Sequence, residues 1–257
     1  MKISVDGGAL NPKNNQRFGT SVFSENLVAA LKLYDKKNQY FIYTFKNLKP
    51  KLFWLKGRVS IEEFINKKAV FLALNQAIPL YTSGKVISFC HGLSYFFHPQ
   101  LYPKRDVVRL KKQLEEMVKR SDKIIVSSEK VKKELVSINQ LIKTKIIVIP
   151  FGIPFEMKRG KEKKRKKFFL YIGMDHPIKN INFVKQVFNE FIKDKKYKDY
   201  KLYILTKNVS RKKLKKLYQK AAALLTSSHY ESFNFPVLEA LSQGCPVVGL
   251  KSAIIPE

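Results

Sequence analysis

Strand-like and helix-like segments alternate along almost the whole of this 257-residue chain. That alternation limits the fold more than any other feature. "KISV" (2–5) alternates and is β-branched, and Gly7-Gly8 breaks it. A polar loop fills 11–20. "SVFSENLVAALKLY" then places Val22, Phe23, Leu27, Ala30 and Leu31 on one helical face. "QYFIYTF" (39–45) reads as a second strand. Strand, glycine-bearing loop, helix and strand make a βαβ unit, which builds a parallel sheet. The middle of the chain repeats the pattern. "KVISFC" (85–90) is a strand ending at His91. Residues 104–120 form a helix expected to turn Val108, Leu110, Leu114 and Met117 inward. "DKIIVSS", "EKVKKELVSI" and 144–153 read as strand, helix and strand.

At 158–167 the composition changes to "KRGKEKKRKK". Such a run is ordinarily a solvated linker, and the sharper alternative is a nucleic-acid or membrane arm. Taken as a boundary, it divides the chain into domains at 1–157 and 168–257. The alternation resumes beyond it. "KFFLYIG" (167–173) is a buried strand. Phe183, Val184, Val187, Phe188 and Phe191 form the face of the next helix. "YKLYILT" is a strand, "RKKLKKLYQKA" a basic helix and "AAALLTSS" a strand. The fold class is α/β, with two units of similar type and no short-period repeat.

Composition narrows the setting. The two cysteines, Cys90 and Cys245, match neither a disulfide framework nor a zinc pattern, which suits a reducing cytoplasm. The amino terminus shows no signal peptide, and "AVFLALNQAIPLY" (69–81) is too short and too polar to span a bilayer. The expected location is cytoplasmic, as a soluble or peripheral protein. The net charge of +30 points to an anionic partner, either nucleic acid or the inner face of a membrane. Eight arginines stand against forty-two lysines. A surface that reads bases or forks phosphates would be richer in arginine. No aromatic-basic stripe of the kind used on single strands occurs either. Lysine-heavy composition beside much Asn, Ile, Phe and Tyr also fits an AT-rich genome, which needs no partner.

The stretch that carries most chemistry is "HYESFNFPVLEALSQGCPVV" (229–248). Pro236 suits the first turn of a helix and Gly244 its C′ stop. Val237, Leu238 and Leu241 supply an apolar face, and 245–250 reads as a buried strand. "ESFNF" is then a loop entering a helix amino terminus, where N–H groups and the dipole favour an anion. In an α/β sheet such a loop lies at the carboxyl end of a strand, where ligands bind. Glu239 could complement the helix dipole, or accept two hydrogen bonds from vicinal hydroxyls. Glu231, off the helix end, has no evident structural task.

The stretch from Ser227 to Glu257 resembles the signature of the retaining GT-B glycosyltransferases of family 4. Its marks are Glu, seven residues, Glu, then small residues, Gly and Pro-Val-Val. Other pieces follow that family's order: "VDGGAL…RFGTSVFSENLVAAL", "ISFCHGLSYFFHP", "DKIIVSSEKVKKEL", "KIIVIPFGI" and "FFLYIGMDHPIKNINFVKQVFNEF". The resemblance implies a GT-B fold of two Rossmann-like doubly wound domains. It implies a nucleotide-diphosphate sugar in the cleft between them and a hydroxyl acceptor; the basic surface, suited to an anionic inner leaflet, points to a cell-envelope glycolipid or glycan as that acceptor. Carried over, Glu239 holds the ribose hydroxyls and Glu231 touches the donor sugar near the reacting carbon. The loop Ser232, Phe233, Asn234 and Phe235 offers backbone N–H groups. Lys179 neutralises the diphosphate, His91 meets sugar or phosphate, and Gly19 lets backbone approach the diphosphate. No Asp-x-Asp occurs, so neither a metal nor any other cofactor is expected. His98, His176 and His229 show no ligand spacing.

The chain departs from that pattern in three places. Met174 stands where the family commonly has Arg. The stretch from Leu205 to Leu214 is short. The sequence stops at Pro256-Glu257, so the second domain is expected to be incomplete, as a fragment, a minimal variant or one part of a larger assembly. An inactive remnant, or a nucleic-acid binder on the same scaffold, are the readings that compete with the enzyme.

Overall fold

The computed structural model describes residues 1–10, 19–48, 53–158 and 164–255. The chain divides into two compact units, Met1–Phe151 and Gly152–Glu257. The polar loop expected at 11–20 lies mostly outside the described residues, as does 159–163 of the basic run.

The first unit is built from β1 (Lys2–Asp6), α1 (Gly19–Tyr34), β2 (Gln39–Tyr43), α2 (Ser60–Ile65) and β3 (Val70–Ala73). It continues through β4 (Lys85–Cys90), α3 (Ser94–Phe97), α4 (Lys104–Arg120), β5 (Lys123–Val126), α5 (Glu129–Ile138) and β6 (Ile146–Val148). The six strands form one sheet in the order β2-β1-β3-β4-β5-β6, and every pairing is parallel. Phe71, Val86, Ile124, Val126, Leu135 and Met117 are among the residues that fill its core.

Three findings here differ from the expectation. β3 was hidden in the apolar run 69–81, because the strand lasts four residues before Asn, Gln and Pro interrupt the pattern. It nonetheless pairs with both β1 and β4 and is central to the sheet. α2 escaped because its polarity is inverted: Ser60 and Glu63 are its buried residues, while Ile61, Phe64 and Ile65 are exposed. In α4 the inward stripe is Leu114 and Met117, with Leu110 and Val118 packed beside them. Val108 is 69% exposed; it lies two and a half turns from Met117, hence on the opposite face.

The second unit comprises β7 (Phe168–Ile172), α6 (Ile181–Phe191), β8 (Lys201–Leu205), α7 (Arg211–Lys220), β9 (Ala223–Thr226), α8 (Phe235–Ser242) and β10 (Val247–Gly249). Its four strands run parallel in the order β10-β9-β7-β8. Leu170, Leu214, Tyr218, Leu224, Ala240 and Cys245 form the core, joined by Met157 from ahead of the basic run. Two apolar faces are narrower than their periodicity suggests. In α6 only Val184 is buried. Phe191 closes an aromatic group with Phe169, Tyr197 and Tyr200, which leaves Phe183 and Val187 outside it, exposed. In α8 the buried residues are Glu239 and Ala240. Leu241 is exposed, because a carboxylate takes the inward position.

The basic run is not wholly solvated. Arg165 Nη1 donates to Tyr218 O at 3.2 Å and to Ala221 O at 3.1 Å, at the carboxyl end of α7. Its Nη2 donates to Gly244 O, just past the end of α8. One guanidinium therefore serves the orphan carbonyls of two helix ends, where a cation also suits the dipole. Gly244, at φ 71°, is in the left-handed region that stops α8.

Candidate functional site

In the second sheet the chain steps from β7 outward to β8 on one side, and from β9 outward to β10 on the other. The gap between the carboxyl ends of β7 and β9 is the topological switch point, where α/β sheets open a crevice for ligands. β7 leads through Gly173 to a 3-10 turn at Pro177–Lys179 and a left-handed Asn180. β9 leads through Ser227 and Ser228 to Glu231, then to a left-handed Asn234 and α8.

Hydrogen bonds fasten the two loops together. His229 N donates to Ile178 O at 2.8 Å. From β7 itself, Tyr171 Oη braces the first loop by donating to Lys179 O at 3.0 Å. Ser227 Oγ lies 3.1 Å from Lys179 O and 2.9 Å from Asn180 O. His176 Nδ1 accepts from Ile178 N at 3.2 Å, a structural capping role that its lack of ligand spacing suited. This stitching brings Lys179 Nζ to 2.5 Å from Glu231 Oε1. Ser228 Oγ donates to the same oxygen at 2.7 Å. The two charged side chains are only 22% and 10% exposed. Burial, then the charges of Glu231 and Asp175, push the Tyr171 phenol above its ordinary range.

The loop Ser232 to Phe235 is held from both ends. Asn234 is buried, and its Nδ2 donates to Thr226 Oγ1 at 3.2 Å and Ala253 O at 2.9 Å. Its backbone, at φ 66° and ψ 71°, is a conformation that Asn adopts more readily than most residues. Phe233 and Phe235 meet edge to face at 5.1 Å, and Ser232 is half-buried.

Glu239 has a separate set of partners. It sits in the second turn of α8, almost wholly buried. Arg211 Nη2 donates to Oε1 at 2.6 Å and Tyr218 Oη donates to Oε2 at 3.0 Å. Burial, then the carboxylate, raise the Tyr218 phenol well above its ordinary value. Glu239 is thus a fixed, oriented acceptor rather than a surface complement to the dipole.

In the first unit, His91 follows β4 directly. The proton on its Nε2 is donated to Leu74 O at 2.6 Å, and the ring packs against Phe23 and Phe151 at 4.9 and 5.8 Å. Burial lowers its pKa to about 4, so it is neutral at pH 7. Gly19 is the exposed first residue of α1, and the loop before it is outside the described residues.

Sequence reasoning missed Asp6, Arg211, Tyr218, Ser227 and Ser228. Asp6 ends β1, is buried, and accepts from Gly8 N at 2.9 Å. Burial pushes it up to about 6. An Asp before Gly-Gly at a strand end was its available signal, as the Ser-Ser pair was after β9. Arg211 was concealed at the start of a helix that reads as a basic surface.

Residues 203–257 match the profile of the family described as Glycosyl transferases group 1. Over that stretch the chain is similar to that family. The stretch contains both glutamates, whereas Lys179 lies ahead of it. The O-antigen chain mannosyltransferase RfbU of Salmonella typhimurium is 28% identical over 223 residues, which is 76% of this chain and 59% of that protein. The chain thus spans somewhat more than half of that glycosyltransferase relative. Sucrose-phosphate synthase from Thermosynechococcus elongatus superposes with a TM-score of 0.66 at 12% identity, covering 100% of this chain and 84% of that one. HepE of Anabaena, solved in complex with UDP-glucose, gives 0.64 at 11% identity, covering 98% and 81%. At those identities the likeness is one of fold, and the fold is GT-B: mixed α/β with two Rossmann-like units built on parallel sheets.

Proposed function

We propose that the chain is a retaining glycosyltransferase that moves a hexose from a nucleotide-diphosphate sugar to a hydroxyl acceptor. The observation that carries the reading is the Lys179–Glu231 pair at the switch point, with Glu231 buried and Lys179 half-buried. A half-buried ammonium just ahead of the start of α6 is suited to charge that builds on a departing diphosphate. Glu231 pairs with that ammonium. An arriving diphosphate gives Lys179 a second anion, and Glu231 turns lone pairs to sugar hydroxyls. Backbone N–H groups of Ser232, Phe233, Asn234 and Phe235 add donors to sugar and phosphate. Each oxygen of Glu239 keeps acceptor capacity beyond the one bond it receives, enough for two ribose hydroxyls. His91, neutral with the proton on its Nε2 donated to Leu74 O, is assigned to sugar or phosphate. Gly19 is assigned to the approach of backbone to the diphosphate.

The likeness to RfbU supports an acceptor in cell-envelope polysaccharide or glycolipid synthesis. The net charge of +30 supports work at an anionic inner leaflet. Among the described residues no helix is long and apolar enough to cross a membrane. The test is calorimetry and turnover with uridine, guanosine and adenosine diphosphate sugars, UDP-glucose first. Lys179→Ala and Glu231→Ala are expected to weaken donor binding at least about tenfold, the loss of one charge-assisted contact. If both bind and turn over donor as the parent does, the site is elsewhere.

A further inference from the structure

We infer that the amino-terminal edge of the first unit's sheet is a membrane-docking face that takes an anionic lipid bilayer. The inference rests on the membrane part of the reading above, and it is independent of the donor site. All six strands are parallel, so all six begin along one edge. Bonds across that edge tie the entries together, Gln39 N to Met1 O at 2.9 Å and Lys85 N to Ala69 O at 3.0 Å among them. Each strand is entered through an exposed lysine at its first residue or within three residues before it: Lys2, Lys37, Lys67, Lys85, Lys123 and Lys143. The acids among these entries are Asp35, Glu62 and Asp122. Asp35 is engaged by Asn38 and Tyr40, Glu62 by Asn66, and Asp122 by Val86 N.

The same edge exposes large apolar side chains. Tyr34 ends α1 before β2, Leu80 precedes β4 and Leu141 precedes β6. Ile61, Phe64 and Ile65 come from α2, whose polarity is reversed. Its Glu63 is fully buried, accepting from Tyr43 Oη at 2.8 Å and from Ser83 Oγ at 3.2 Å. Its Ser60 Oγ is bound to Lys56 O and accepts from Tyr81 N. A helix that turns its inward face to polar groups directs isoleucine and phenylalanine outward, where Phe64 meets Tyr81 edge to face at 5.6 Å and stays 67% exposed. These six residues are 50–88% exposed. Cations interleaved with protruding apolar residues match a bilayer, whose headgroups attract lysine and whose acyl boundary accepts the apolar tips. A phosphodiester backbone offers nothing to Phe64 or Ile65, and two copies of so basic a face repel each other.

The experiment floats the full chain with vesicles of phosphatidylglycerol and phosphatidylcholine, and with vesicles of phosphatidylcholine alone. Binding is expected only to the first, weakening with salt. Phe64→Ser with Ile65→Ser, both exposed, is expected to weaken it at least about tenfold. Lys67→Glu with Lys85→Glu is expected to weaken it by about fivefold per lysine or more. Phe64→Trp adds an indole whose emission should shift to the blue on anionic vesicles, while Trp54 stays buried in either state. Glu231→Ala is expected to bind vesicles like the parent whatever becomes of donor binding, which separates the two readings. Equal binding to neutral vesicles, variants that bind like the parent, or an unshifted indole would overturn the inference. So would a DNA duplex bound more tightly than vesicles and indifferent to the serine pair.

Discussion

Lys179 and Glu231 stand 52 positions apart in sequence, yet their charged atoms are 2.5 Å apart at the switch point of the second sheet. Neither belongs to a regular strand or α-helix. Each is placed by a loop that the other's loop holds through Ser227 and His229, and Tyr171 of β7 braces Lys179 from its own side. The pair is therefore a product of the sheet order, which brings β7 and β9 side by side.

The first prediction concerns that pair in the ligand-free protein. Lys179→Ala leaves a nearly buried carboxylate with Ser228 as its remaining named donor, and should cost about 1–3 kcal/mol of stability. Glu231→Ala strands the ammonium at similar cost. Urea unfolding of the double variant should show a loss well below the sum of the two, because the interaction can be removed only once. Additive losses would mean that the two groups do not interact.

The second concerns Glu239. Arg211→Ala leaves a buried carboxylate with one named donor and is expected to cost about 3–5 kcal/mol. Tyr218→Phe keeps the ring in the core and removes one bond to a charged group, costing about 1.5–3 kcal/mol. Both variants should also loosen nucleotide binding, by letting the carboxylate turn. A donor affinity unchanged in Tyr218→Phe would show that its bond does not orient Glu239 for the ligand.

The third is a pH dependence in which two groups oppose each other. Asp6 is raised from 3.8 to about 6 in the fold. Between those values the folded state holds more protons than the unfolded, so stability falls as pH rises and stays lower above 6. His91 is lowered from 6.5 to about 4. There the unfolded state holds more protons, so stability rises with pH from 4 to 6.5 and is complete above it. Each effect is worth about 3 kcal/mol at 1.36 kcal/mol per unit, and the two nearly cancel. Relative to the parent, Asp6→Asn should gain stability as pH rises from 4 to 6, and His91→Gln should lose it over 4 to 6.5. Urea midpoints at half-unit intervals read both signs, and a difference that runs the other way would contradict the burial of the group concerned.

Most strands and helices were legible because two-residue and 3.6-residue periods survive wherever one face meets a core. β4, α4 and α5 begin and end where their patterns do. β3 and α2 were not legible. A four-residue strand is shorter than the window that reveals a period, and a helix that buries Glu63 contradicts the premise of the reading. The same premise failed at Leu241 and Val108. At the candidate site, Glu231 stood out by its place ahead of a helix and Lys179 only through the family resemblance, and their meeting could not be read, since it depends on which strands become neighbours. Arg211 and Tyr218 were invisible for a related reason: nothing near them in sequence names the buried carboxylate they serve.

The seat of Arg165 makes the basic run unequal along its length. To trypsin, residues 158–167 offer a series of cleavable bonds of similar chemistry. Cutting ahead of Arg165 releases a carboxyl-terminal fragment that keeps its guanidinium on Tyr218, Ala221 and Gly244. Cutting behind it releases one whose two helix ends have lost their clasp. Digestion should therefore leave a durable fragment beginning at or before Arg165, and any product beginning at Lys166 should be consumed as fast as it forms.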